Sequence, residues 1–393
     1  APRKLSAGRE FVAKNQFYEF FAGVGLARVG LSPEWEPLWA NDFSPKKAET
    51  YIANFGSEHF HLGDIAGVQP DDLPGWAHMA WASFPCQDLS LAGWRRGING
   101  HRSGVYWAFW QLMRDLGERK PPVIVLENVV GLLHSRDFKV LVESLVSLDM
   151  RVGALVVDAV RFVPQSRPRV FIVAVDKSFD TTQLEDPSPD RGRWFPKSVW
   201  DAHSTLSDEL RKSWIWWTLP VPEADAIPSI SNIVENDAVG IDWHTPEETE
   251  RLLSLMAPLH RDRVENAQRS GERQIGFIYK RTRNGHQQAE VRFDGIAGCL
   301  RTPTGGSSRQ TIMIVDGASI RSRLISPREM SRLMGAPDWF QLPSRYNQAY
   351  YAMGDAVVVP VVNWLSLHLL NPLVEQYDAT VGHYGWSLQR AGG

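Results

Sequence analysis

The chain has 393 residues, of which 43% are hydrophobic and 22% are charged. This length predicts two domains, or one large domain with an insertion, and a core that needs no disulfide bonds. The 42 basic and 45 acidic residues give a net charge of −3, which excludes a uniformly basic nucleic-acid-binding protein but allows a local basic groove.

The first half of the chain alternates short apolar runs with longer amphipathic stretches. The apolar runs have the length of buried strands and occupy residues 17–21, 38–41, 78–83, 123–126 and 170–175. Apolar residues at three- and four-residue spacing predict helices over 105–116 and 138–148. This alternation predicts βαβ units and a mostly parallel sheet with helices on both faces.

After residue 175 the alternation stops. Residues 176–324 are rich in proline, serine, tryptophan and arginine, which predicts a second, irregular domain. Arginines are concentrated between residues 251 and 309, where the alternative to a binding surface is an ordinary solvated face. The segment 326–370 returns to helical patterning and ends in an apolar stretch that needs the core of the first half.

A glycine-containing turn follows the first apolar run. Gly23 and Gly25 lie between a predicted strand and a predicted helix, where glycine lets the backbone turn tightly near a ligand. The full dinucleotide fingerprint is absent, so this turn alone is a weak indication of a cofactor site. Asp42 follows the next predicted strand, and Asp64 ends the region where a third strand would stop. A carboxylate at either place holds ribose hydroxyls or caps a helix or turn.

Cys86 and Cys299 are the only cysteines, which excludes a disulfide scaffold and a cysteine-rich zinc site. Cys86 follows the predicted strand 78–83 and precedes a loop rich in glycine and arginine. A lone cysteine at the ligand-binding edge of a sheet is a candidate nucleophile, although most free cysteines are small buried hydrophobic residues. Cys299 has no comparable setting, which indicates a structural role.

Charged residues flank two of the buried strands. Glu127 directly follows an apolar run, where a carboxyl group is costly to bury unless it is used or paired. The alternative is that Glu127 caps the following helix. Arg167 and Arg169 precede the strand 170–175 and share one side of it, where they could grip anionic groups or a polar base edge.

Taken in order, these segments resemble the motifs of the DNA (cytosine-5) methyltransferases. The matching segments are the glycine turn 21–25, the acids Asp42 and Asp64, Phe84-Pro85-Cys86-Gln87, Arg102-Ser103-Gly104-Val105, Glu127-Asn128-Val129, Gln165-x-Arg167-x-Arg169, 323–335 and 354–357. The resemblance covers both halves of the chain and skips only the middle. Eight short motifs in one order make it strong.

The resemblance implies an α/β, Rossmann-like methyltransferase fold with a mostly parallel seven-stranded sheet and a smaller, irregular target-recognition domain. It places a catalytic and cofactor-binding domain at residues 1–184 and the recognition domain at 185–321. Residues 322–393 carry the ninth and tenth motifs and return to the catalytic domain. Six tryptophans are expected to form the small core of the recognition domain rather than to stack on bases: Trp194, Trp200, Trp214, Trp216, Trp217 and Trp243.

The resemblance also implies that S-adenosylmethionine is the cofactor, S-adenosylhomocysteine the product, and that no metal is used. The implied cofactor-binding residues are Phe21, Ala22, Gly23, Gly25, Leu26, Asp42, Phe43, Asp64, Ile65, Pro85, Val105, Asp355, Ala356 and Val357. Two positions depart from the family pattern. Asp355 stands where asparagine is usual, and Leu26 stands where many members carry glycine.

The family chemistry implies that Cys86 adds to C6 of a cytosine flipped out of duplex DNA. Glu127, with Arg167 and Arg169, is implied to stabilise the ring during methyl transfer. The implied DNA-contacting residues are Gln87, Ser90, Arg95, Arg96, Arg301, Thr302, Gly305 and Gly306.

Double-stranded DNA is the expected partner, bound by a monomer, with any cognate restriction endonuclease acting separately. The lack of an 18-residue apolar run, and of a signal pattern in residues 1–16, favours a soluble intracellular protein. The resemblance implies a bacterial cytoplasmic enzyme that associates with the nucleoid through DNA and not with a membrane. The alternatives are methylation of RNA such as tRNA, a catalytically silent DNA-binding protein, and a nicotinamide-dependent oxidoreductase. The last explains Gly23 and Gly25 but gives Cys86 and Glu127 no purpose.

Overall fold

The computed structural model describes residues 14–85, 104–283, 285–302 and 308–381. Its larger sheet has seven strands: β1 Asn15–Phe20, β2 Trp35–Asp42, β3 Phe60–Leu62, β4 Met79–Ala82, β5 Val123–Val129, β6 Met150–Asp158 and β7 Pro168–Asp176. Their spatial order is β3-β2-β1-β4-β5-β7-β6. β7 is antiparallel to both of its neighbours, β5 and β6, and all the other neighbouring pairs are parallel. The predicted mostly parallel, seven-stranded sheet is confirmed.

Helices connect and cover these strands. Within the described residues they are α1 Leu26–Leu31, α2 Pro45–Phe55, α3 Val105–Asp115, α4 Asp137–Val146, α5 Lys197–Ser204, α6 Asp208–Lys212, α7 Ile230–Ile233, α8 Pro246–Ser254, α9 Pro258–Arg269, α10 Pro327–Leu333, α11 Tyr346–Asp355, α12 Val359–Leu365 and α13 Asn371–Val381. The predicted helices 105–116 and 138–148 correspond to α3 and α4.

The central strands form because their sequences are apolar on both faces. Val123, Ile124 and Val125 of β5 are fully buried, as expected for a parallel strand covered by helices on both sides. Burial of apolar surface at this scale contributes roughly 25 cal/mol per Å² removed from water. The functional residues described below therefore project from the ends of a rigid sheet.

The C-terminal helices complete this core. The helical segment Tyr346–Ala379 is long and apolar enough to cross a membrane, but 61% of its most apolar stretch is buried within the protein. The Trp35 indole Nε1 donates to Ser366 Oγ at 3.0 Å and to Asn371 Oδ1 at 2.7 Å. The segment therefore packs as a core helix against the first half of the chain, as its apolar patterning predicts.

The structure corrects one detail of the predicted second domain. Residues 274–324, expected to be irregular, form an antiparallel sheet in the order β11-β10-β8-β9. The strands are β8 Gln274–Arg283, β9 His286–Arg292, β10 Thr311–Asp316 and β11 Ser319–Leu324. One face of this sheet packs on α8 and α9 around a small separate core that includes Met256, Val264, Ile278, Val291 and Met313. These strands were missed because their exposed faces are polar.

The tryptophans of the middle region are also placed differently from the expectation. All six pack in or against the large core, and none belongs to the small core. For Trp214, Trp216 and Trp217 the cause is an extended segment that lies along the outer strand β6, where Ile215 N donates to the Val152 carbonyl at 2.9 Å. Gly153 makes room for it, since an added Cβ would lie 2.3 Å from the Ile215 carbonyl oxygen.

Candidate active site

The candidate site residues lie at one edge of the seven-stranded sheet. Parallel strands end at the same edge, so the C-terminal ends of β1, β2, β4 and β5 meet there. Strand order reverses between β1 and β4, and a crevice at such a switch point is the usual ligand site of an open α/β sheet. The antiparallel strand β7 begins at this edge, with Arg169 opposite Val129.

The glycine turn is held in a conformation that few residues adopt. Phe21 and Gly23 have φ angles of 55° and 58°, and a left-handed non-glycine residue is the kind of local strain found at functional sites. Gly25 is required by packing, because an added Cβ would lie 2.4 Å from Phe55 Cε2. Ala22 and Leu26 flank these glycines, and Leu26 is buried at the start of α1.

Asp42 fixes the turn to the end of β2. Its Oδ2 accepts from Gly23 N at 2.9 Å, and its Oδ1 accepts from Ser44 N at 2.9 Å. A carboxylate has about four acceptor positions, so Asp42 can accept further hydrogen bonds. Phe43, the next residue, is 68% exposed and offers a flat apolar surface beside this acid.

Asp64 lies beyond the end of β3, as the sequence predicts. Its Oδ1 accepts from Ala66 N at 2.9 Å and caps a short turn that buries Ile65. Asp64 thus has the capping role that the sequence left open, while its carboxylate remains exposed. Val105 lies at the start of α3, and Pro85 is exposed at the last described position of its segment.

A buried acid lies beneath the glycine turn and was not singled out from the sequence. Glu19 on β1 is fully buried and its Oε2 accepts from the Tyr51 hydroxyl at 3.1 Å. Burial raises the pKa of Glu19 to about 7, against the opposing effects of Arg28 and the Tyr51 hydroxyl. Arg28 Nη1 also lies 2.5 Å from His59 Nε2, so the turn rests on a connected polar network.

Glu127 lies at the end of β5 beside Arg169. Arg169 Nε is 3.3 Å from Glu127 Oε1, and both side chains are largely buried. Burial raises the pKa of Glu127, and Arg169, Arg167 and the Ser83 hydroxyl only partly oppose this. Glu127 therefore holds a proton more readily than a free carboxyl group does.

Asn128 connects Glu127 to the candidate nucleophile motif. Its Nδ2 donates to the Phe84 carbonyl at 3.0 Å, which fixes the backbone two residues before Cys86. Several predicted residues lie outside the described part of the chain: Cys86, Gln87, Ser90, Arg95, Arg96, Gly305 and Gly306.

Arg167 is buried and bonded to backbone carbonyls. Its Nη1 donates to the Leu300 carbonyl at 2.5 Å, and its Nη2 donates to the Gly354 and Ala356 carbonyls, each at 2.8 Å. Burial lowers the pKa of Arg167 to about 10, and the neighbouring Arg169 adds to this effect. These contacts join the loop before the ninth motif to the tenth motif, so Arg167 positions two segments of the site.

Cys299 lies at the site, which the sequence did not predict. Its Sγ is 3.4 Å from Arg167 Nη1. Burial raises the pKa of the Cys299 thiol, but Arg167, Arg169 and Arg301 together outweigh burial and bring it below the ordinary value. Gln165 holds the same loop, accepting from Leu300 N at 3.0 Å. No local sequence signal marks Cys299, because Arg167 is 132 residues away.

The tenth motif approaches the same loop closely. An added Cβ at Gly354 would lie 2.9 Å from Thr302 N, so only glycine lets the two backbones meet. The exposed residue Arg301 precedes Thr302, and Ala356 and the buried Val357 follow on the other side. Asp355 is paired with Lys47 of α2, Nζ to Oδ2, at 2.8 Å. The carboxylate that departs from the family pattern therefore has a cationic partner in this chain.

Comparison with known proteins decides the family. The profile of the C-5 cytosine-specific DNA methylases matches residues 15–370. The chain belongs to this family. The type II methyltransferase M1.ScrFI of Lactococcus lactis subsp. cremoris is 26% identical over 373 residues, which cover 92% of this chain and 79% of that protein. M.HhaI of Haemophilus parahaemolyticus is 25% identical over 359 residues, covering 90% and 94%.

Solved structures agree on the fold. The Dnmt2 methyltransferase of S. pombe superimposes with a TM-score of 0.55 at 18% identity, covering 92% of this chain and 99% of that one. A DNMT2 variant of Spodoptera frugiperda gives a TM-score of 0.60 at 16% identity, covering 92% and 100%. Family membership makes the chain a cytosine-5 DNA methyltransferase, which confirms the predicted enzyme class.

Proposed function

We propose that this methyltransferase transfers a methyl group from S-adenosylmethionine to C5 of a cytosine flipped out of a specific short duplex DNA sequence. The main support for the proposal is the arrangement of side chains at the C-terminal end of β5. There a buried carboxyl group with a raised pKa, Glu127, lies 3.3 Å from the Arg169 guanidinium. Its neighbour Asn128 fixes the backbone that leads to Cys86.

The edge formed by the glycine turn, β2 and β3 fits an adenosine-containing cofactor. Asp42 has acceptor capacity for ribose hydroxyls beyond its two backbone bonds. The exposed ring of Phe43 suits one face of an adenine base, and the buried Ile65 supports the adjoining turn from beneath. The rest of the proposed cofactor-binding set is Phe21, Ala22, Gly23, Gly25, Leu26, Asp64, Pro85, Val105, Asp355, Ala356 and Val357. S-adenosylmethionine, when bound there, supplies an electrophilic methyl group and becomes S-adenosylhomocysteine.

Cys86 is the proposed nucleophile. Its thiolate forms a bond to C6 of cytosine, which makes C5 an enamine-like carbon able to accept the methyl group. A base then removes the C5 proton, the C5–C6 double bond re-forms and the thiolate leaves. The ring thus gains a methyl group and loses a proton, and Cys86 is regenerated.

Glu127 and Arg169 act on the electron-rich ring. A protonated Glu127 donates to N3 of the cytosine, and Arg169 stabilises charge near the cytosine carbonyl. The raised pKa of Glu127 favours the required protonated form. Arg167, whose bonds go to backbone carbonyls, is a positioning residue in this proposal and not a group that touches the ring.

Binding of duplex DNA is assigned to two segments. Residues 90–101, with Arg95 and Arg96, form a basic glycine-containing segment suited to covering the flipped base together with Gln87 and Ser90. The segment from Arg301 and Thr302 through Gly305 and Gly306 approaches the backbone of the DNA. Turning a nucleotide out of the stack costs a few kcal/mol, which these contacts offset.

The proposed function divides the chain into a catalytic part and a target-recognition part. We assign residues 1–184 and 322–393 to the catalytic part and residues 185–321 to target recognition, with the stretch from Trp194 to Trp217 packed on the large core. The protein acts as a monomer on DNA in the bacterial cytoplasm, independently of any cognate restriction endonuclease.

The decisive experiment compares the two cysteines. Duplex DNA containing 5-fluorocytosine, incubated with the protein and S-adenosylmethionine, should give a stable covalent complex at Cys86, because fluorine at C5 blocks the final elimination. Cys86→Ala should abolish both trapping and methylation, whereas Cys299→Ala should retain both. Trapping that persists in Cys86→Ala and disappears in Cys299→Ala would overturn the assignment.

The same assay separates the alternatives to DNA methylation. Methyl incorporation into duplex DNA and into tRNA is measured side by side with the wild-type protein. Incorporation into DNA alone supports the proposal, and incorporation into tRNA alone would make the enzyme an RNA methyltransferase. DNA binding without incorporation into either substrate would indicate a catalytically silent binding protein.

A further inference from the structure

The two faces of the small sheet differ in chemistry. Ile278 on β8 lies opposite Val291 on β9, and both side chains belong to the small core under α8 and α9. Side chains alternate along a strand, so the neighbouring residues face the other way. On that other face Tyr279 lies opposite Glu290, and Arg281 lies opposite Gln288. We call these four residues and Arg292 the reading face.

The reading face begins at the rim of the candidate active site. Phe277, two residues before Tyr279, is fully buried in the large core. An added Cβ at Gly298 would lie 3.7 Å from Tyr279 Cδ1, so the Tyr279 ring lies against the residue that precedes Cys299. Cys299 in turn contacts Arg167. A base pair next to a cytosine held in the site would therefore be close to this face.

The two arginines of the reading face differ in how tightly they are paired with a carboxylate. Arg292 forms a bidentate ion pair with Asp294, with Nε to Oδ1 at 2.8 Å and Nη2 to Oδ2 at 2.5 Å. The side chain of Arg281 is 55% exposed, and its Nε is 3.9 Å from Glu290 Oε2. Arg292 already has its carboxylate, so Arg281 is the arginine available to a ligand.

Arg281 is also oriented in advance. Its guanidinium carbon lies 4.5 Å from the centroid of the Tyr279 ring, a cation–π contact that holds the side chain beside the ring. Glu290 lies opposite Tyr279 on β9, and its side chain is only 12% exposed, so a largely buried carboxylate faces Arg281 from the neighbouring strand. Orientation before binding reduces the entropy lost when the side chain forms a contact.

We propose that Arg281 reads a guanine beside the target cytosine through the major groove, and that Tyr279 and Glu290 position it. The proposal rests on the proposed function, since it requires duplex DNA at the site. A two-stranded antiparallel ribbon fits the major groove, and the arginine fork matches the O6 and N7 acceptors of guanine. Arg281 is thus a specificity-determining residue, distinct from the residues that act on the cytosine ring.

The test is methylation of a random-sequence duplex pool, with modified cytosines mapped by bisulfite conversion. The wild-type protein should prefer guanine at one position near the target. Arg281→Ala should reduce this preference about 5- to 150-fold, the discrimination carried by one bidentate base contact, and leave the other positions unchanged. Arg281→Lys, which keeps the charge but lacks the fork, should lose the same preference.

Arg269→Ala is the matched control. Arg269 is an exposed arginine on α9, on the opposite side of the sheet, paired with Glu265 at 2.8 Å. Its removal subtracts the same charge and should leave the sequence preference unchanged.

Two results would overturn the inference while leaving the proposed function intact. One is an unchanged guanine preference in Arg281→Ala. The other is equal loss of methylation at all sequences with a smaller salt dependence, which marks a phosphate contact. A wild-type protein that methylates no duplex DNA would overturn the proposed function and this inference together.

Discussion

Charged side chains are used in opposite ways by the two sheets. At the edge of the seven-stranded sheet, Glu19, Glu127 and Arg167 are all buried and held by neighbouring polar groups. On the small sheet and its covering helix, Arg281 and Arg269 have side chains that are 55% and 69% exposed. The same residue types are thus desolvated in one region and hydrated in the other.

This difference matches two physical tasks. Burial shifts the pKa of a carboxyl group and fixes its geometry, which acid–base chemistry on a bound base requires. Recognition of DNA requires cations that stay hydrated until the DNA displaces the water and counterions. The comparison predicts that substitutions at the large sheet alter rate or stability, while those on the reading face alter sequence preference.

The largest effect is expected for Glu127→Gln. A glutamine keeps the shape of the side chain but cannot release a proton as the ring charge changes, so methyl transfer should slow about 10²- to 10⁴-fold. Binding of S-adenosylmethionine should change little, because Glu127 is assigned to the cytosine and not to the cofactor. Single-turnover methylation and calorimetric titration of the cofactor measure the two quantities.

The control for this substitution is Glu143→Gln. Glu143 forms a surface pair with Lys139 on α4 at 3.8 Å and should have no effect on the rate. The pKa shift adds a second readout. Because burial raises the pKa of Glu127 and the protonated form is the active one, the wild-type rate should fall as the pH rises through that pKa. A large loss of cofactor affinity in Glu127→Gln would contradict its assignment.

The Arg323–Glu329 pair involves a residue of the small sheet but is buried. It therefore tests whether burial, and not the sheet to which a charged residue belongs, decides its effect. Arg323 is the penultimate residue of β11 and donates to Glu329 of α10 through both Nη atoms, at 2.9 and 2.6 Å. Both side chains are fully buried. Arg323→Met leaves a buried carboxylate without its cation and should lower the free energy of unfolding by about 3–5 kcal/mol. Urea denaturation measures the loss.

A double variant separates the pair from its surroundings. Adding Glu329→Leu to Arg323→Met removes the uncompensated charge and should recover part of the stability. Recovery is incomplete because Glu329 also accepts from Ser326 N at 2.7 Å and from Glu235 N at 2.8 Å. If Arg323→Met cost less than about 1 kcal/mol, as exposed pairs do, burial would not be what distinguishes the two groups of charges.

The seven-stranded sheet was predictable because its strands are continuous apolar runs, such as 123–126 in β5. The positions of Asp42, Asp64 and Glu127 followed, since a residue after such a run must lie at the sheet edge. The small sheet was less visible, because β8 and β9 alternate polar side chains such as Arg281 and Gln288. The signals present there were Asn284-Gly285 and Asp316-Gly317, which are typical hairpin turns between alternating strands.

Contacts between distant segments could not be predicted from one sequence. The carbonyl partners of Arg167 lie 133 to 189 residues further along the chain, and no local pattern encodes such a separation. The same holds for Cys299, whose surroundings are set by Arg167 and Arg169. The buried state of Glu19 also depends on Tyr51, which α2 brings from 32 residues away.

Glu19 makes stability depend on pH. Its pKa rises from 4.5 to about 7 on folding, so the folded protein holds this proton more tightly than the unfolded chain. The resulting stability is fully present below about pH 4.5 and is lost as the pH rises to about 7, a change of about 3 kcal/mol. Glu19→Gln should flatten the pH dependence of the free energy of unfolding across this window. If the free energy of unfolding depended on pH equally in both proteins, Glu19 would be charged in the folded protein and paired with Arg28.

The smallest effect is expected at the Lys47–Asp355 pair, which is an exposed pair at the edge of the large sheet. Its side chains are 25% and 45% exposed, so the charges are already screened by water. Lys47→Ala and Asp355→Asn should each change the free energy of unfolding by less than about 1 kcal/mol. The double-mutant cycle should give a coupling of about 0.2–1 kcal/mol that shrinks between low and high salt.

The exposed pair Lys197–Asp201 on α5, at 2.6 Å, is the control for that cycle, because it lies away from the sheet edge. If position rather than burial governed the energetics, Lys47–Asp355 would couple far more strongly than Lys197–Asp201. Similar coupling for both pairs would instead show that an ion pair at the sheet edge is strong only where the protein excludes water from it. The difference between the two sheets would then lie in desolvation and not in the location of the charges.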